Sequence, residues 1–158
     1  MADTGTLVIV SSDFCHWGSD FDYMPYENLR ENRSQSDDSF LVSMAARELY
    51  QRELFESDVD PDNEWTPVWE FIQALDMAGI ELIERQDREA FYQYCEETEN
   101  TICGRHPIGI LLAMLKAQTS GSYQAELVAY DQSEKVLNEE QSSVSYASML
   151  VTQQNADI

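Results

Sequence analysis

The chain opens with a short apolar run that is followed directly by polar and reactive side chains. Residues Leu7 to Val10 are all apolar, and three of the four are β-branched. Such a run is typical of a strand buried on both faces, as in a parallel sheet. Residues 11–18 then read Ser-Ser-Asp-Phe-Cys-His-Trp-Gly. Because open α/β sheets bind ligands just beyond their strand ends, the pattern predicts a binding site here.

An apolar stripe at helical spacing predicts the longest helix of the chain. This helix should begin at Pro67, with Thr66 as its N-cap, and run to about Arg85. Its stripe consists of Trp69, Ile72, Leu75, Ile80 and Ile83. Gly79 is a weak point in this helix, because glycine disfavours a helix interior.

Two further helices and two strands complete the predicted order of elements. Asp87 can cap a helix over about 88–97, and a second apolar helix is predicted over 108–118. Strands are predicted over 125–131 and 144–152. A strand, several helices and two more strands indicate a mixed α/β fold within one domain.

Residues 27–66 stand apart from the rest of the chain in composition. Residues 27–39 carry almost no apolar side chains and predict a loop. Ser39 can cap a helix over about 40–55, and residues 56–64 form an acidic break. The composition therefore predicts that 27–66 is an acidic, partly helical segment.

The charge of the chain limits its partners. It carries 30 acidic against 9 basic residues, a net charge of −21. Nucleic acid and anionic membranes are disfavoured as partners, because phosphate binding needs clustered lysine and arginine. No segment approaches the roughly 20 apolar residues of a membrane span. Three cysteines, an odd number, favour a reducing compartment, so we expect a cytoplasmic protein, with a nuclear pool also open.

The two histidines each lie close to a cysteine. His16 follows Cys15 directly and is three residues after Asp13, while His106 is three residues after Cys103. Thiolate, imidazole and carboxylate together are suitable ligands for zinc, copper or iron. The spacing alone equally fits buried cysteines beside hydrogen-bonded histidines. It also fits a nucleophilic Cys103 with His106 as its base, or an anion held by Arg105 at a helix start.

Three segments together resemble the Memo family. They are residues 10–18 (VSSDFCHWG), residues 100–109 (NTICGRHPIG) and residues 141–147 (QSSVSYA). The resemblance extends over 7–26 and about 67–152, and corresponds to the C-terminal half of a family member. The residues between have no family counterpart, so the resemblance implies an insertion at 27–66. We favour a tolerated surface insertion, and a partner-binding element is the alternative. Memo proteins are similar in fold to class III extradiol dioxygenases. The resemblance therefore implies a partial α/β/α sandwich with a mixed sheet, in which the N-terminal half of the family fold is absent.

The resemblance also implies roles for five residues. Cys103 matches the family's metal-ligating cysteine, and Asp13 and His16 match residues that line the same pocket. Arg105 and His106 follow the cysteine and take supporting roles outside the direct ligands. The family is associated with copper or iron, redox balance and motility signalling. Its two metal-binding histidines belong to the half without counterpart here, so we expect weak metal binding by this chain alone.

Two alternative functions remain open beside a metal-binding redox or signalling protein. The fold resemblance allows an oxidoreductase of the extradiol-dioxygenase type, although fold alone is a weak argument for function. A pocket that binds a phosphopeptide or a signalling protein is the non-enzymatic alternative, with Trp17, Tyr23 and Tyr26 as aromatic contacts. An incomplete, inactive gene product is a further possibility. In that case Leu7 to Val10 should be an uncovered apolar edge that promotes association.

Overall fold

A computed structural model describes residues 7–24, 67–119, 121–138 and 140–154. The insertion predicted at 27–66, with its loop, helix and acidic break, lies outside the described residues. Tyr26 lies outside them as well. Among the residues that the structure describes, no helix is both long and apolar enough to cross a lipid bilayer.

Three helices follow one another closely in the middle of the chain. Helix α1 spans Val68–Glu84, α2 spans Arg88–Thr98 and α3 spans Arg105–Lys116. Asp87 caps α2 as predicted, because its carboxylate accepts a hydrogen bond from the Ala90 backbone N–H at 3.1 Å. Helix α3 begins three residues earlier than the predicted 108, so that Arg105 and His106 lie in its first turn.

A three-stranded antiparallel sheet completes the described fold. Strand β1 is His16–Trp17, β2 is Ser122–Gln132 and β3 is Ser143–Gln154, and β3 lies in the middle. The pair β2 and β3 is a long hairpin with a register shift between Leu127 and Ala129. The chain therefore has a mixed α/β fold, as predicted, with strands β2 and β3 somewhat longer than expected.

The strand predicted at Leu7 to Val10 is wrong. These residues form no strand, and the side chains of Leu7 and Ile9 are 81% and 80% exposed. β-Branched residues favour a buried strand, but a strand forms only where a neighbouring strand pairs with its backbone N–H and C=O groups. The described part of the chain pairs β3 with β1 and β2 only, and both pairings are antiparallel. The predicted parallel character of the sheet is not seen either.

The core lies between α1, α2 and the inner face of the sheet. The buried side chains of α1 recur every three or four residues, and include Phe71, Ile72, Leu75, Ile80 and Ile83. Gly79 is explained by the packing rather than being a defect. A Cβ atom there would stand 2.8 Å from the ring of Tyr94 on α2, so the glycine permits close approach of the two helices.

The two faces of the hairpin differ in their surroundings. Side chains at Ala125, Ser143 and Ser145 are buried on the face toward α1, whereas Val128, Tyr146 and Leu150 on the strands are exposed. Helix α1 also closes part of the free edge of β2. Glu84 accepts a hydrogen bond from the Leu127 N–H at 2.7 Å, and Gln86 donates to the Tyr123 carbonyl at 2.7 Å. These side chains take the place of a neighbouring strand.

Candidate functional site

Two segments that are far apart in sequence meet at the start of α3. The Asp13 backbone N–H donates to the sulfur of Cys103 at 3.2 Å, across 90 residues of sequence. One residue away, the Gly104 N–H donates to the Ser12 hydroxyl at 2.9 Å. The structure thus places the Cys103 thiol next to the backbone of Asp13. The family resemblance implies a pocket that these two residues share.

Gly104 allows this close approach. A Cβ atom on residue 104 would collide with the side chain of Ser12, so a larger residue would push the two segments apart. The backbone of Gly104 has a φ of −93°, which any residue adopts, and the need for glycine is therefore steric. The glycine of the Cys-Gly-Arg-His motif keeps the cysteine loop against residues 11–13.

Cys103 is the exposed cysteine of the three. Its sulfur lies 3.2 Å from the Asp13 nitrogen, 3.8 Å from the Asp13 carbonyl oxygen and 3.9 Å from the Ser12 hydroxyl. These contacts hold the sulfur in one place while leaving it open to solvent. Within the described ranges, no hydrogen bond joins Cys103 to His106, so the predicted cysteine–histidine nucleophile gains no support from geometry.

His16 is held by a second set of contacts between the same two segments. Its backbone N–H donates to the Thr101 hydroxyl at 2.7 Å, and that hydroxyl donates back to the His16 carbonyl at 3.0 Å. Its Nδ1 lies 3.0 Å from the Phe14 carbonyl and 3.2 Å from the Thr101 carbonyl. Because both partners are acceptors, Nδ1 carries the proton.

With a proton on Nδ1, Nε2 is the ring nitrogen that remains for other contacts. This atom lies 3.9 Å from the Asp13 carboxylate, and the ring edge contacts Phe21 with centroids 5.2 Å apart. Asp13 and His16 thus lie on one segment, and Cys103 lies on the loop that contacts this segment.

Arg105 and His106 are exposed in the first turn of α3. The positive charge of Arg105 acts on Cys95 of α2, where burial raises the thiol pKa to about 11 and the arginine opposes that rise. No described contact places Arg105 or His106 on Cys103, Asp13 or His16. Their predicted supporting roles remain predictions.

The donor set by itself does not form a metal centre. Over residues 7–24, 67–119, 121–138 and 140–154, no three His, Cys, Asp or Glu side chains are grouped closely enough to hold an ion. One exposed thiol, with a carboxylate and an imidazole nearby, has the right chemistry for copper or iron but is incomplete as a coordination sphere. Further ligands would be required for tight binding.

The predicted aromatic contacts to a peptide are wrong for two of the three residues. Trp17 is fully buried and Tyr23 is 7% exposed, so both belong to the core. The Tyr23 hydroxyl donates to the Thr98 carbonyl at 2.8 Å, which ties the segment after β1 to the end of α2. Aromatic residues beside a reactive motif are equally typical of core packing, and the sequence could not separate the two uses.

Sequence reasoning missed a buried acidic residue directly behind the site. Asp76 is fully buried on the apolar face of α1, and its carboxylate accepts hydrogen bonds from the Cys15 N–H and the Asn100 side chain at 3.2 and 3.1 Å. Burial raises its pKa to about 6, while the hydrogen bonds it accepts act in the opposite direction. A carboxylate four residues from Ile72 and from Ile80 on an apolar stripe is the signal that could have identified it.

Burial also decides the state of the cysteine beside His16. Desolvation raises the pKa of the Cys15 thiol well above its ordinary value, and the negative charge of Asp76 adds to that rise. Cys15 is therefore a protonated, buried thiol, as the alternative of structural cysteines predicted. The sequence places Cys15 next to His16 and Cys103 near His106. Of these two cysteines, only Cys103 has a thiol that is accessible to solvent.

Comparison with known proteins decides the family. The family described as Memo-like protein matches residues 1–150, which is most of the chain. The chain belongs to the Memo-like family. The Memo resemblance of the three sequence segments is thus confirmed.

Curated Memo relatives come from distant eukaryotes. The chain is 36% identical to Protein MEMO1 of Homo sapiens over 154 residues, which cover 96% of the chain and 40% of that protein. It is 35% identical to MEMO1 family protein MHO1 of Saccharomyces cerevisiae over 159 residues, covering 95% and 44%, respectively. Protein memo-1 homolog of Caenorhabditis elegans is 32% identical over 151 residues, covering 94% and 33%. The chain therefore spans less than half the length of these curated relatives.

Proposed function

We propose that this chain contributes the cysteine-bearing wall of a Memo-type pocket that binds copper or iron in redox or motility signalling. The observation that carries the proposal is the contact of Cys103 with Asp13. An accessible sulfur rests 3.2 Å from the Asp13 N–H, and the Asp13 carboxylate lies 3.9 Å from Nε2 of His16. Family membership supports the same three positions.

The family resemblance implies a role for each residue, and the chemistry of each residue is compatible with that role. Cys103 is the metal-ligating thiolate, and a soft sulfur ligand favours copper(I) over harder ions. Asp13 and His16 line the pocket, and Nε2 of His16 lies 3.9 Å from the Asp13 carboxylate. The bound metal would supply redox chemistry, whereas these residues position a ligand and accept or donate a proton at Nε2.

We further propose that the full pocket has the α/β/α arrangement of the family. In that arrangement the two family histidines complete the metal site. The exposed apolar side chains of Leu7, Ile9 and Leu150 are consistent with surfaces that another layer covers. Metal affinity of this chain alone is expected to be weak, because it supplies an incomplete ligand set.

Copper(I) titration of the whole chain against a chromophoric chelator, without oxygen, tests the proposal. We expect binding by the wild type that is lost in Cys103→Ala, since the variant removes the thiolate. Cys95→Ala is the matched control, because it removes a buried cysteine on α2 and should bind as the wild type does. Equal binding by the wild type and Cys103→Ala would remove Cys103 from the site.

His16→Gln separates the pocket from a lone reactive thiol. Glutamine has no ring nitrogen and cannot reproduce Nε2, so copper affinity should fall while the rate of Cys103 alkylation changes little. If the affinity is unchanged in His16→Gln, the sulfur acts by itself and the pocket is not a functional unit.

A further inference from the structure

The two segments that form the candidate site are joined from behind by one buried carboxylate. Oδ1 of Asp76 accepts from the Cys15 N–H at 3.2 Å and from the Asn100 side-chain amide at 3.1 Å. Cys15 lies two residues after Asp13, and Asn100 lies three residues before Cys103. A single oxygen therefore contacts both loops at their buried ends.

The second carboxylate oxygen of Asp76 connects the residue to the sheet through a hydrogen bond. The Tyr130 hydroxyl of β2 donates to Oδ2 at 2.8 Å and lies 3.2 Å from the Ser145 hydroxyl of β3. Ser145 in turn pairs its backbone with the residues before β1. Its N–H donates to the Cys15 carbonyl, and its carbonyl accepts from the Phe14 N–H, both at 2.9 Å.

Asn100 is fixed by more than the carboxylate. Its side-chain amide also donates to the Tyr94 hydroxyl at 2.7 Å, and that hydroxyl donates to the Leu75 carbonyl at 2.7 Å. Asn100, Asp76 and Tyr94 are all fully or almost fully buried. Hydrogen bonds in such a dry environment are strong, and an unpaired member would be costly.

A residue that served only packing would be apolar at this position. The buried face of α1 is otherwise formed mainly by apolar side chains, and a fully buried carboxylate loses its hydration. Within the described part of the chain, its hydrogen-bond partners are neutral groups, and no cation compensates its charge. The carboxylate accepts three hydrogen bonds that a leucine at this position could not accept.

We propose that Asp76 is a positioning residue, whose carboxylate sets the separation between the segment carrying Asp13 and His16 and the loop carrying Cys103. The proposal rests on the function proposed for this pocket, but its test uses no metal. A failed copper titration and a failed positioning test are therefore separate results.

Amide hydrogen exchange and alkylation of Cys103, measured on the whole chain, test the positioning role. Asp76→Ala removes the shared acceptor, so exchange at the Cys15 amide should accelerate roughly ten- to hundred-fold, as expected for a lost hydrogen bond to a charged group. Cys103 should also react faster with iodoacetamide. Asp76→Asn keeps an acceptor at Oδ1 and can donate to Tyr130, and should restore most of the protection.

A stability-matched control separates positioning from general weakening. Ile83→Ala removes core volume about 10 Å along α1 from Asp76, and denaturant can bring its global stability level with that of Asp76→Ala. At matched stability, only Asp76→Ala should show the fast Cys15 amide. Equal exchange in the two variants, or equally fast exchange in Asp76→Asn, would overturn the proposal.

A second pair of variants covers the case in which Asp76→Ala does not fold. Asn100→Ala breaks the connection between the carboxylate and the cysteine loop, and should speed Cys103 alkylation. Tyr130→Phe removes only the connection to β2, keeps both loop contacts, and should alkylate at the wild-type rate. Identical alkylation rates in Asn100→Ala and Tyr130→Phe would contradict the positioning role.

Discussion

Two neighbouring stretches of the N-terminal segment, Leu7 to Val10 and Phe14 to Trp17, differ in how far their side chains are buried. Both are rich in apolar residues, yet Leu7 and Ile9 are about four-fifths exposed, whereas Cys15 and Trp17 are fully buried. The difference lies in their partners. Residues 14–17 pair with the start of β3 and contact the Asp76 carboxylate, and the described residues offer no such partner to 7–10. Apolar character determines what a segment prefers, but a neighbour with free hydrogen bonds determines whether it is buried.

The largest expected effect is the loss of the buried side chain in the second stretch. Trp17→Ala leaves a large cavity in the core, and we expect a loss of about 3–5 kcal/mol in the free energy of unfolding. Urea denaturation followed by circular dichroism measures it. Trp17→Phe should cost less, because Trp17 Nε1 is a buried donor without a partner in the described ranges, and phenylalanine removes that donor. A loss under 1 kcal/mol for Trp17→Ala would show that residue 17 is not in the core.

The carboxylate behind this stretch should make stability depend on pH. Burial raises the pKa of Asp76 from 3.8 to about 6, so the folded state binds more protons than the unfolded state between these values. Stability from this group is therefore greatest below pH 4, falls as the pH rises to about 6, and is level above that. The shift corresponds to about 3 kcal/mol.

Asp76→Asn isolates this dependence from that of the other 29 acidic residues. Urea denaturation of both proteins at several pH values gives the difference in unfolding free energy. As the pH rises from about 4 to about 6, the free energy of unfolding of the wild type should decrease relative to that of Asp76→Asn. A difference that is constant across this range would show that Asp76 titrates normally in the folded protein.

Local rules predicted the helices and the hairpin well, whereas long-range contacts needed other information. The Asp87 cap and the apolar stripe of α1 depend on residues within four positions of one another. The cap is found, and the predicted stripe residues are buried except for Trp69, which is half-buried. The contact of Asp13 with Cys103 joins residues 90 positions apart, and no periodicity reveals it. The family resemblance predicted that the two share a pocket, and the structure places them in contact.

The sequence could not predict the role of residues whose type is compatible with two different roles. Trp17 and Tyr23 lie beside the motif, where the sequence allows ligand contact, but their burial places them in the core. Asp76 lies on an apolar stripe, a pattern that predicts an ordinary amphipathic helix. In each case residue type permits both uses, and only three-dimensional packing decides between them.

A glycine between the two loops offers an intermediate test. Gly104→Ala forces a Cβ atom into the Ser12 side chain, and we expect a loss of about 1–3 kcal/mol, as for an overpacked core. The hydrogen bond from Asp13 to Cys103 should weaken, so alkylation of Cys103 should change while the core around Trp17 does not. The double variant Ser12→Gly/Gly104→Ala makes room for the new atom but also lacks the Ser12 hydroxyl that accepts from the Gly104 N–H, so Ser12→Gly is its reference. If Gly104→Ala destabilises Ser12→Gly as much as it destabilises the wild type, the collision with Ser12 is not the cause.

The smallest effect on stability is expected in the exposed stretch. Ile9→Ser removes a side chain that is 80% exposed, so the free energy of unfolding should change by less than about 0.5 kcal/mol. Association should respond instead, because an exposed run of β-branched residues favours pairing with another copy, against the repulsion from a net charge of −21. Sedimentation at several protein and salt concentrations should show self-association of the wild type that increases with salt and is reduced in Ile9→Ser. A wild type that remains monomeric at high salt would show that the exposed run of Leu7 to Val10 does not drive self-association.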